Sequence, residues 1–194
     1  INNSTHNFKN GIGFDYIKIA DAKRGVIGNT CLHDAEAFFN HLNCDALTIS
    51  PYMGEESIEP FINNTKKGVY VLCRTSNKSS SFIQKDIFSK VISMCKDLNS
   101  NNNIGFVVGA TNHEAMEEVR SQTDSFFLIP GIGAQGGDLR NVIQSNINYL
   151  DTTLINISRG IIFAGNHDYQ SIQSSAQEYL NPVSYTHLTL PTIL

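Results

Sequence analysis

Short apolar runs alternate along the chain with segments whose apolar residues recur at helical spacing. The runs are continuous, which is typical of parallel strands that are covered on both faces. The predicted strands are Tyr16–Ala20, Ala46–Ile49, Gly68–Cys73, Ile104–Gly109, Phe126–Ile129 and Thr153–Ile157. The predicted helices are Cys31–Asn43, Ser57–Asn63, Phe88–Ser100, His113–Ser121 and Tyr169–Leu180. This alternation predicts an α/β fold built on a parallel sheet.

A polar or Gly/Pro-rich segment follows each predicted strand. In barrels of strand–helix units, that end of the strands forms the active-site face. About six strand–helix units are recognisable among the 194 residues. We therefore predict an incomplete (β/α)₈ TIM barrel that lacks two of its eight units.

The segment Pro130–Asp138 contains four glycines and directly follows an apolar strand. Glycines let the backbone approach a ligand and direct N–H groups toward it, so the segment predicts a phosphate site, with Gln135 adding a polar side chain. Arg159 follows the next strand and is placed to close on the same phosphate with a bidentate contact. The alternative for Arg159 is an ordinary surface arginine at a strand end.

Two other strand ends carry side chains suited to chemistry. Alternation places Asp21 and Lys23 on one face, where they would pair and face a ligand, and burial would tune the lysine into a proton donor. The alternative is a structural ion pair. Thr75 and Ser76 offer hydroxyl contacts to a polar heterocycle, and the alternative there is ordinary turn capping.

Composition narrows the function classes. A net charge of −4 gives no sign of a nucleic-acid or anionic-membrane partner, and no apolar run approaches the ~20 residues of a membrane span. No secretory signal is visible, so we expect a cytoplasmic protein. The four cysteines form no CxxC pair and the six histidines show no ligand spacing, which predicts reduced thiols and no metal site.

Taken in order, six segments resemble the orotidine 5′-monophosphate (OMP) decarboxylase family, in its long-branch bacterial and protozoal form. The matching strings are DAKRG·IGNT (Asp21–Thr30), SPYMG (Ser50–Gly54), RTSN (Arg74–Asn77), GFVVGAT (Gly105–Thr111), PGIGAQGGD (Pro130–Asp138) and NISRG (Asn156–Gly160). The resemblance extends from about Gly11 to Tyr179.

The resemblance implies a cofactor-free, metal-free barrel that acts as a homodimer with shared active sites and converts OMP to uridine 5′-monophosphate (UMP) in pyrimidine biosynthesis. It implies that Lys23 protonates the pyrimidine C6 and that Asp21 lies near the substrate carboxylate. The substrate-binding residues that it implies are Thr30, Thr75, Ser76, Pro130, Gly133, Gln135, Gly136 and Arg159. Thr30 would reach into the partner subunit's site.

One position departs from the family motif Asp-x-Lys-x-x-Asp, because Val26 stands where the last aspartate belongs. That aspartate crosses the dimer interface in the family, so valine predicts a severe loss of rate. Three explanations stay open: an error in the sequence, a damaged allele, or a repurposed nucleotide-binding pseudoenzyme. Another phosphosugar decarboxylase of the same superfamily is a further alternative, and it would need a metal site.

Both ends of the chain depart from the resemblance. The family's first two strands are not visible, so we expect an N-terminal truncation. The last residues, 183–194, resemble read-through of a sequencing adapter and are interpreted as a non-native tail. The sequence therefore predicts a partial barrel domain over residues 1–182.

Overall fold

The structure, a computed structural model, describes residues 16–189, with side chains described up to residue 183. The strands are β1 (Ile19–Arg24), β2 (Ala46–Ile49), β3 (Gly68–Arg74), β4 (Ile104–Val108), β5 (Phe127–Pro130) and β6 (Thr153–Asn156). The helices are α1 (Gly28–Glu36), α2 (Glu59–Ile62), α3 (Ser81–Leu98), α4 (His113–Arg120), α5 (Leu139–Ser145), α6 (Arg159–Ile162) and α7 (Tyr169–Thr189). A π-type segment, Ala37–His41, continues α1, and short 3₁₀ turns occupy Glu55–Ser57, Lys78–Ser80 and Ile147–Thr152.

The six strands form one sheet in the order β1 to β6, and every neighbouring pair is parallel. Strands that are consecutive in sequence are thus neighbours in space, with helical connections between them. The sheet curls into a half-barrel, which confirms the predicted incomplete (β/α)₈ fold. Among the described residues, β1 and β6 are the edges of this sheet.

The alternating side chains of the strands separate the core into two clusters. Helix-facing residues such as Leu47, Val71, Phe106 and Ile129 pack with the helices in the larger cluster. Residues of the opposite face form a smaller cluster of Ala46, Tyr70, Val107 and Leu128, with Ile19, Leu72 and Leu154 partly buried against it. We call this second surface the inner face of the half-barrel.

The pairing of β1 with β2 is irregular. Ala20 pairs with Leu47 and Arg24 pairs with Ile49, so β1 contains two more residues than β2 between these two pairs. The extra residues form a bulge, and Lys23 within it takes a positive φ of 49°. Strand β1 begins and ends later in the sequence than the predicted strand Tyr16–Ala20. Asp21 and Lys23 therefore lie inside β1 rather than after it.

All five predicted helices differ from the structure in their bounds, and two of them are much longer than predicted. Helix α3 begins at Ser81, seven residues before the predicted Phe88, and α7 continues to Thr189, beyond the predicted Leu180. Helix α5 was not predicted; Asp138 caps it by accepting a hydrogen bond from the Asn141 N–H at 3.0 Å. The predicted boundary at residue 182 lies within α7, and the predictions on residues 1–15 lie outside the described part of the chain.

Candidate active site

Asp21 and Lys23 form an ion pair at the carboxyl end of β1. The Lys23 Nζ lies 2.5 Å from the Asp21 Oδ1. The hydroxyl of Thr48, on β2, donates to the same carboxylate oxygen at 3.0 Å and accepts the Lys23 backbone N–H at 3.0 Å. The pair predicted from sequence is therefore present, and a neighbouring strand holds it.

The Asp21–Lys23 pair is more exposed than the sequence led us to expect. The Lys23 and Asp21 side chains are 50% and 65% exposed. Because β1 is an edge of the described sheet, no described strand covers the pair on its outer side. The burial that was expected to tune the lysine is not supplied by this part of the chain.

The segment Pro130–Asp138 forms a tight loop after β5. Gly131, Gly133 and Gly136 have φ values of 103°, 69° and 90°, which side-chain-bearing residues rarely adopt. The N–H groups of Gly133, Gly136 and Gly137 donate to carbonyls within the loop, at 2.7 to 3.0 Å. The N–H groups of Ala134 and Gln135, at the exposed tip, have no partner among the described residues. These two N–H groups are the donors that the loop offers to a ligand.

Ser76, at the end of β3, connects to this glycine loop. Its hydroxyl donates to the Gln135 Oε1 at 2.5 Å, and its carbonyl accepts the Thr111 hydroxyl at 2.8 Å. A Cβ on Gly109 would lie 2.5 Å from the Ser76 N, so the end of β4 tolerates only glycine beside Ser76. The structure therefore brings together two residues that lie 59 positions apart in sequence.

Thr75 has a different environment from Ser76. Its hydroxyl donates to the Asn77 Oδ1 at 2.6 Å and accepts from the Gln84 Nε2 at 2.9 Å. Its backbone N–H donates to the Gln84 Oε1 at 2.7 Å. These contacts are local and of the kind that stabilise a turn.

Arg159 is the first residue of α6, and its side chain is exposed. No ion pair or side-chain hydrogen bond of Arg159 occurs among the described residues. Helix α7 packs behind it: the Ser175 hydroxyl donates to the Gly160 carbonyl at 2.9 Å. Tyr179 also lies against this region, because a Cβ on Gly133 or Gly160 would come within 2.9 or 2.7 Å of its hydroxyl. The glycine loop and the segment around Arg159, which are the two predicted phosphate-binding segments, thus both lie against Tyr179 of α7.

The remaining predicted residues lie at the same end of the sheet. Pro130 closes β5, and its carbonyl accepts the Ala110 N–H at 2.9 Å. Thr30 is exposed in the first turn of α1. Val26 is half-buried and packs against the helix-facing core cluster.

A cavity of about 610 Å³ opens beside Ser76. Gln135 and Gly136 line it from one side, and Thr111 and Asn112 line it from another. Lys23 and Arg159 lie outside its walls. The described residues therefore bring the Ser76 and Gln135 side chains into one cavity, but they do not enclose the ion pair with them.

Sequence reasoning missed Thr48, and it gave Arg74 no separate role. Thr48 stands in an apolar strand, where nothing marks a buried threonine as a partner of a residue 25 positions away. Arg74 belongs to the RTSN string, yet its guanidinium turns to the helices, where it pairs with Glu118 at 3.0 Å and lies over the Phe88 ring. Its contacts are those of a structural ion pair.

No group of three or more His, Cys, Asp or Glu side chains suited to a metal ion occurs in the described part of the chain. Within the same residues, no helix has both the length and the apolar character needed to span a membrane.

The fold and the strand ends define a class: a parallel half-barrel whose carboxyl edge carries a Lys–Asp pair and a glycine loop. Comparison with protein families specifies it further. The model of the orotidine 5′-phosphate decarboxylase / HUMPS family matches residues 12–171. The chain belongs to this family.

Individual relatives agree with this assignment. The chain is 40% identical to an orotidine 5′-phosphate decarboxylase of Dehalococcoides mccartyi, over 88% of this chain and 68% of that protein. It is 43% identical to the enzyme of Natronomonas pharaonis, over 76% of this chain and 57% of that protein. The solved OMP decarboxylase of Leishmania donovani superposes with a TM-score of 0.74 at 35% identity, over 88% and 68% of the two chains. The chain thus spans 57% to 68% of the length of these relatives.

Proposed function

We propose that this chain carries the catalytic face of an OMP decarboxylase, which converts OMP to UMP and carbon dioxide without a cofactor. The observation that carries the proposal is the edge at which the parallel strands end. It places the Asp21–Lys23 pair on β1 and the Ser76–Gln135 contact beside the glycine loop. The sequence relationship to proteins named orotidine 5′-phosphate decarboxylase supports it.

The chemical step needs a cation at the reacting carbon. When the bond between C6 and the carboxylate carbon breaks, carbon dioxide leaves and its bonding electron pair stays on C6. The Lys23 ammonium stabilises this charge and donates its proton to C6, which leaves a neutral amine. Two unit charges ~4 Å apart at an effective dielectric of ~20 interact by about 4 kcal/mol, so one placed ammonium is a large contribution.

Asp21 has two roles in this proposal. It holds the Lys23 ammonium in position through the 2.5 Å contact. Its charge also lies near the substrate carboxylate, where repulsion disfavours the bound substrate and is relieved as carbon dioxide leaves.

The phosphate is held at the other end of the site. Arg159 supplies a cation, Gln135 supplies a side-chain amide, and the N–H groups of Ala134 and Gln135 point from the loop tip. Gly133 and Gly136 provide the backbone geometry, and Pro130 positions the loop at the end of β5. Since the phosphate is remote from C6, its binding energy can hold the site closed, and loss of Arg159 lowers turnover as well as affinity.

Ser76 and Thr75 contact the pyrimidine in the proposal, and the Ser76–Gln135 hydrogen bond links the base end to the phosphate end. Thr30 reaches the site of a second subunit, and we propose a homodimer with shared active sites in the cytoplasm. The exposed position of Thr30 on α1 is compatible with this role. Nucleic acids and membranes have no role in the proposed reaction.

The test is an assay of OMP decarboxylation, followed by absorbance and by the release of UMP. Removal of a placed charge stabiliser costs about 10²–10³ in rate, so we expect Lys23→Met to abolish the activity of the chain. The control is Lys66→Met, which removes an exposed lysine at the opposite end of the sheet. Equal loss in both variants would contradict the role of Lys23.

Val26 supports a second candidate, a nucleotide-binding protein without turnover. Its side chain packs against the core and supplies no carboxylate. On the decarboxylase proposal, Val26→Asp raises the rate by about 100-fold. Val26→Asn does not, because asparagine has the shape of aspartate but not its charge. Binding of UMP without turnover in every variant would favour the second candidate. Loss of activity with a chelator and its return with Mg²⁺ would favour a metal-dependent phosphosugar decarboxylase.

A further inference from the structure

The Thr48 side chain lies between the two residues of the catalytic pair. Thr48 is 1% exposed and stands on the inner face of β2. Its hydroxyl accepts a hydrogen bond from the Lys23 backbone N–H and donates one to the Asp21 carboxylate, both at 3.0 Å. One hydroxyl therefore contacts the backbone of one residue and the side chain of the other.

The backbone at Lys23 needs such a contact. A positive φ is unfavourable for a residue with a side chain, and it persists only where the surroundings fix it. The bulge between Ala20 and Arg24 removes Lys23 from the regular pairing with β2. The Thr48 hydroxyl takes the N–H that the bulge leaves without a strand partner.

The Asp21 carboxylate depends on the same hydroxyl. Among the described residues, its hydrogen-bond donors are the Lys23 ammonium and the Thr48 hydroxyl, and both reach Oδ1. Both catalytic side chains are at least half exposed, whereas Thr48 is buried in the sheet. Thr48 is therefore the buried residue that holds the exposed pair in position.

We propose that Thr48 is the positioning residue of the Asp21–Lys23 pair: it fixes the β1 bulge and directs the carboxylate onto the ammonium. This inference rests on the proposed function. Loss of the hydroxyl displaces the ammonium from C6 but leaves the phosphate contacts intact. A displacement of about 1 Å costs up to about 100-fold in rate, so kcat falls while KM changes little.

The variants are Thr48→Val, which keeps the shape without the hydroxyl, and Thr48→Ser, which keeps the hydroxyl. The matched control is Thr123→Val, because Thr123 is also buried and its hydroxyl bonds Ser125 both as donor and as acceptor. Thr123 precedes β5, at the opposite end of the sheet. Thr48→Cys, a weaker hydrogen-bonding partner, replaces Thr48→Val if the latter does not fold.

Kinetics are measured in the chain itself and in the Val26→Asp background. We expect Thr48→Val to lower kcat by about 10- to 100-fold, Thr48→Cys to lower it less, and Thr48→Ser and Thr123→Val to stay near the parent. A parent-like kcat in Thr48→Val or Thr48→Cys would overturn the inference. An equal loss in Thr123→Val would overturn it as well, because that loss reports stability.

Amide hydrogen exchange at Lys23, resolved to single residues by mass spectrometry, gives a second readout in the chain as it exists. The Lys23 N–H is expected to be protected in the parent and in Thr48→Ser and to exchange freely in Thr48→Val and Thr48→Cys. Protection that is the same in all variants would overturn the inference. If neither background converts OMP, the proposed function fails, and hydrogen exchange still decides the position of Lys23.

Discussion

The four cysteines are all buried, and burial raises the pKa of each thiol, most strongly that of Cys73 and Cys95. Burial raises the pKa of the Cys73 thiol, on β3, from 9.0 to about 12. Burial has the same effect on Cys95, on α3, whose pKa also rises to about 12. Each thiol is therefore protonated in the folded chain at pH values where it ionises in the unfolded chain.

This pH dependence gives the first prediction. Well below pH 9 the two thiols are protonated in both the folded and the unfolded chain, and they do not change the free energy of unfolding. Between pH 9 and pH 12 the unfolded state loses its thiol protons first, so stability falls by up to about 1.4 kcal/mol per pH unit for each thiol. Urea unfolding at pH 8.0, 9.5 and 10.5 measures the slope, and Cys95→Ala is expected to reduce it. An unchanged slope in Cys95→Ala would mean that the Cys95 thiol does not contribute to the pH dependence of stability.

The sequence singled out most of the candidate site residues but not their partners. Asp21 and Lys23 are two positions apart, so alternation was sufficient to pair them. The Ser76–Gln135 and Thr48–Asp21 contacts join residues 59 and 27 positions apart, and only the sheet register brings them together. Their types gave no signal, because serine and threonine are common at turns and in strands.

At the scale of elements, periodicity predicted all six strands, whereas helix bounds were less predictable. The start of α3 at Ser81 was predicted seven residues too late, because the residues of its buried face begin only at Phe88. Phe82, in its first turn, is 87% exposed. Helix α5 has only seven residues and follows directly on the glycine loop, so its two buried residues, Val142 and Ile143, were too few to show a period.

The contact between α7 and α6 gives the second prediction. A Cβ on Gly160 would lie 2.7 Å from the Tyr179 hydroxyl and 3.3 Å from two ring carbons. Gly160→Ala is therefore expected to lower the free energy of unfolding by about 1–3 kcal/mol. Tyr179→Phe removes the nearest atom, so the double variant recovers about 0.5–2 kcal/mol of that loss. Urea unfolding of the four proteins measures this coupling, and additive effects would show that the two helices do not meet in this way.

Arg120 connects α4 to β5 and gives the third prediction. Its guanidinium donates to the Asn146 Oδ1 at 3.2 and 2.9 Å and to the Ser125 carbonyl at 2.9 Å, and it lies 3.4 Å from the centre of the Phe127 ring. Burial lowers the pKa of Arg120 to about 10. A lysine cannot reach both acceptors at once while covering the ring.

Arg120→Lys is therefore expected to lower the free energy of unfolding by about 1–3 kcal/mol, because buried acceptors lose their donors. Arg140→Lys, an exposed arginine on α5, is the control and is expected to have little effect. Thermal and urea unfolding compare the two. Equal stability of both variants would mean that the Arg120 contacts contribute nothing beyond an exposed charge.

At the scale of the whole molecule, the order of the strands was predictable. Connections between parallel strands through a helix are right-handed, and strands that follow one another in sequence are usually neighbours in the sheet. Six units in place of eight leave β1 and β6 as the two edge strands of the described sheet. Strand β1 carries the exposed pair, and β6 carries Leu154 on the inner face against the small apolar cluster. Within residues 16–189, both edges lack a strand partner on their outer side, and such edges are a surface that other chains can pair with.

The last prediction concerns this 194-residue chain expressed alone. We expect the open edges to associate, so that the sedimenting mass rises continuously with concentration beyond the mass of the proposed homodimer. Leu154→Lys places a charge at the β6 edge and is expected to suppress this association, whereas Leu154→Ala removes the same apolar side chain without a charge and is not. A single dimer that is insensitive to Leu154→Lys and unfolds cooperatively would contradict association through the edges. Such a dimer would show that the surface around Thr30, at the start of α1, meets the partner and that the strand edges do not.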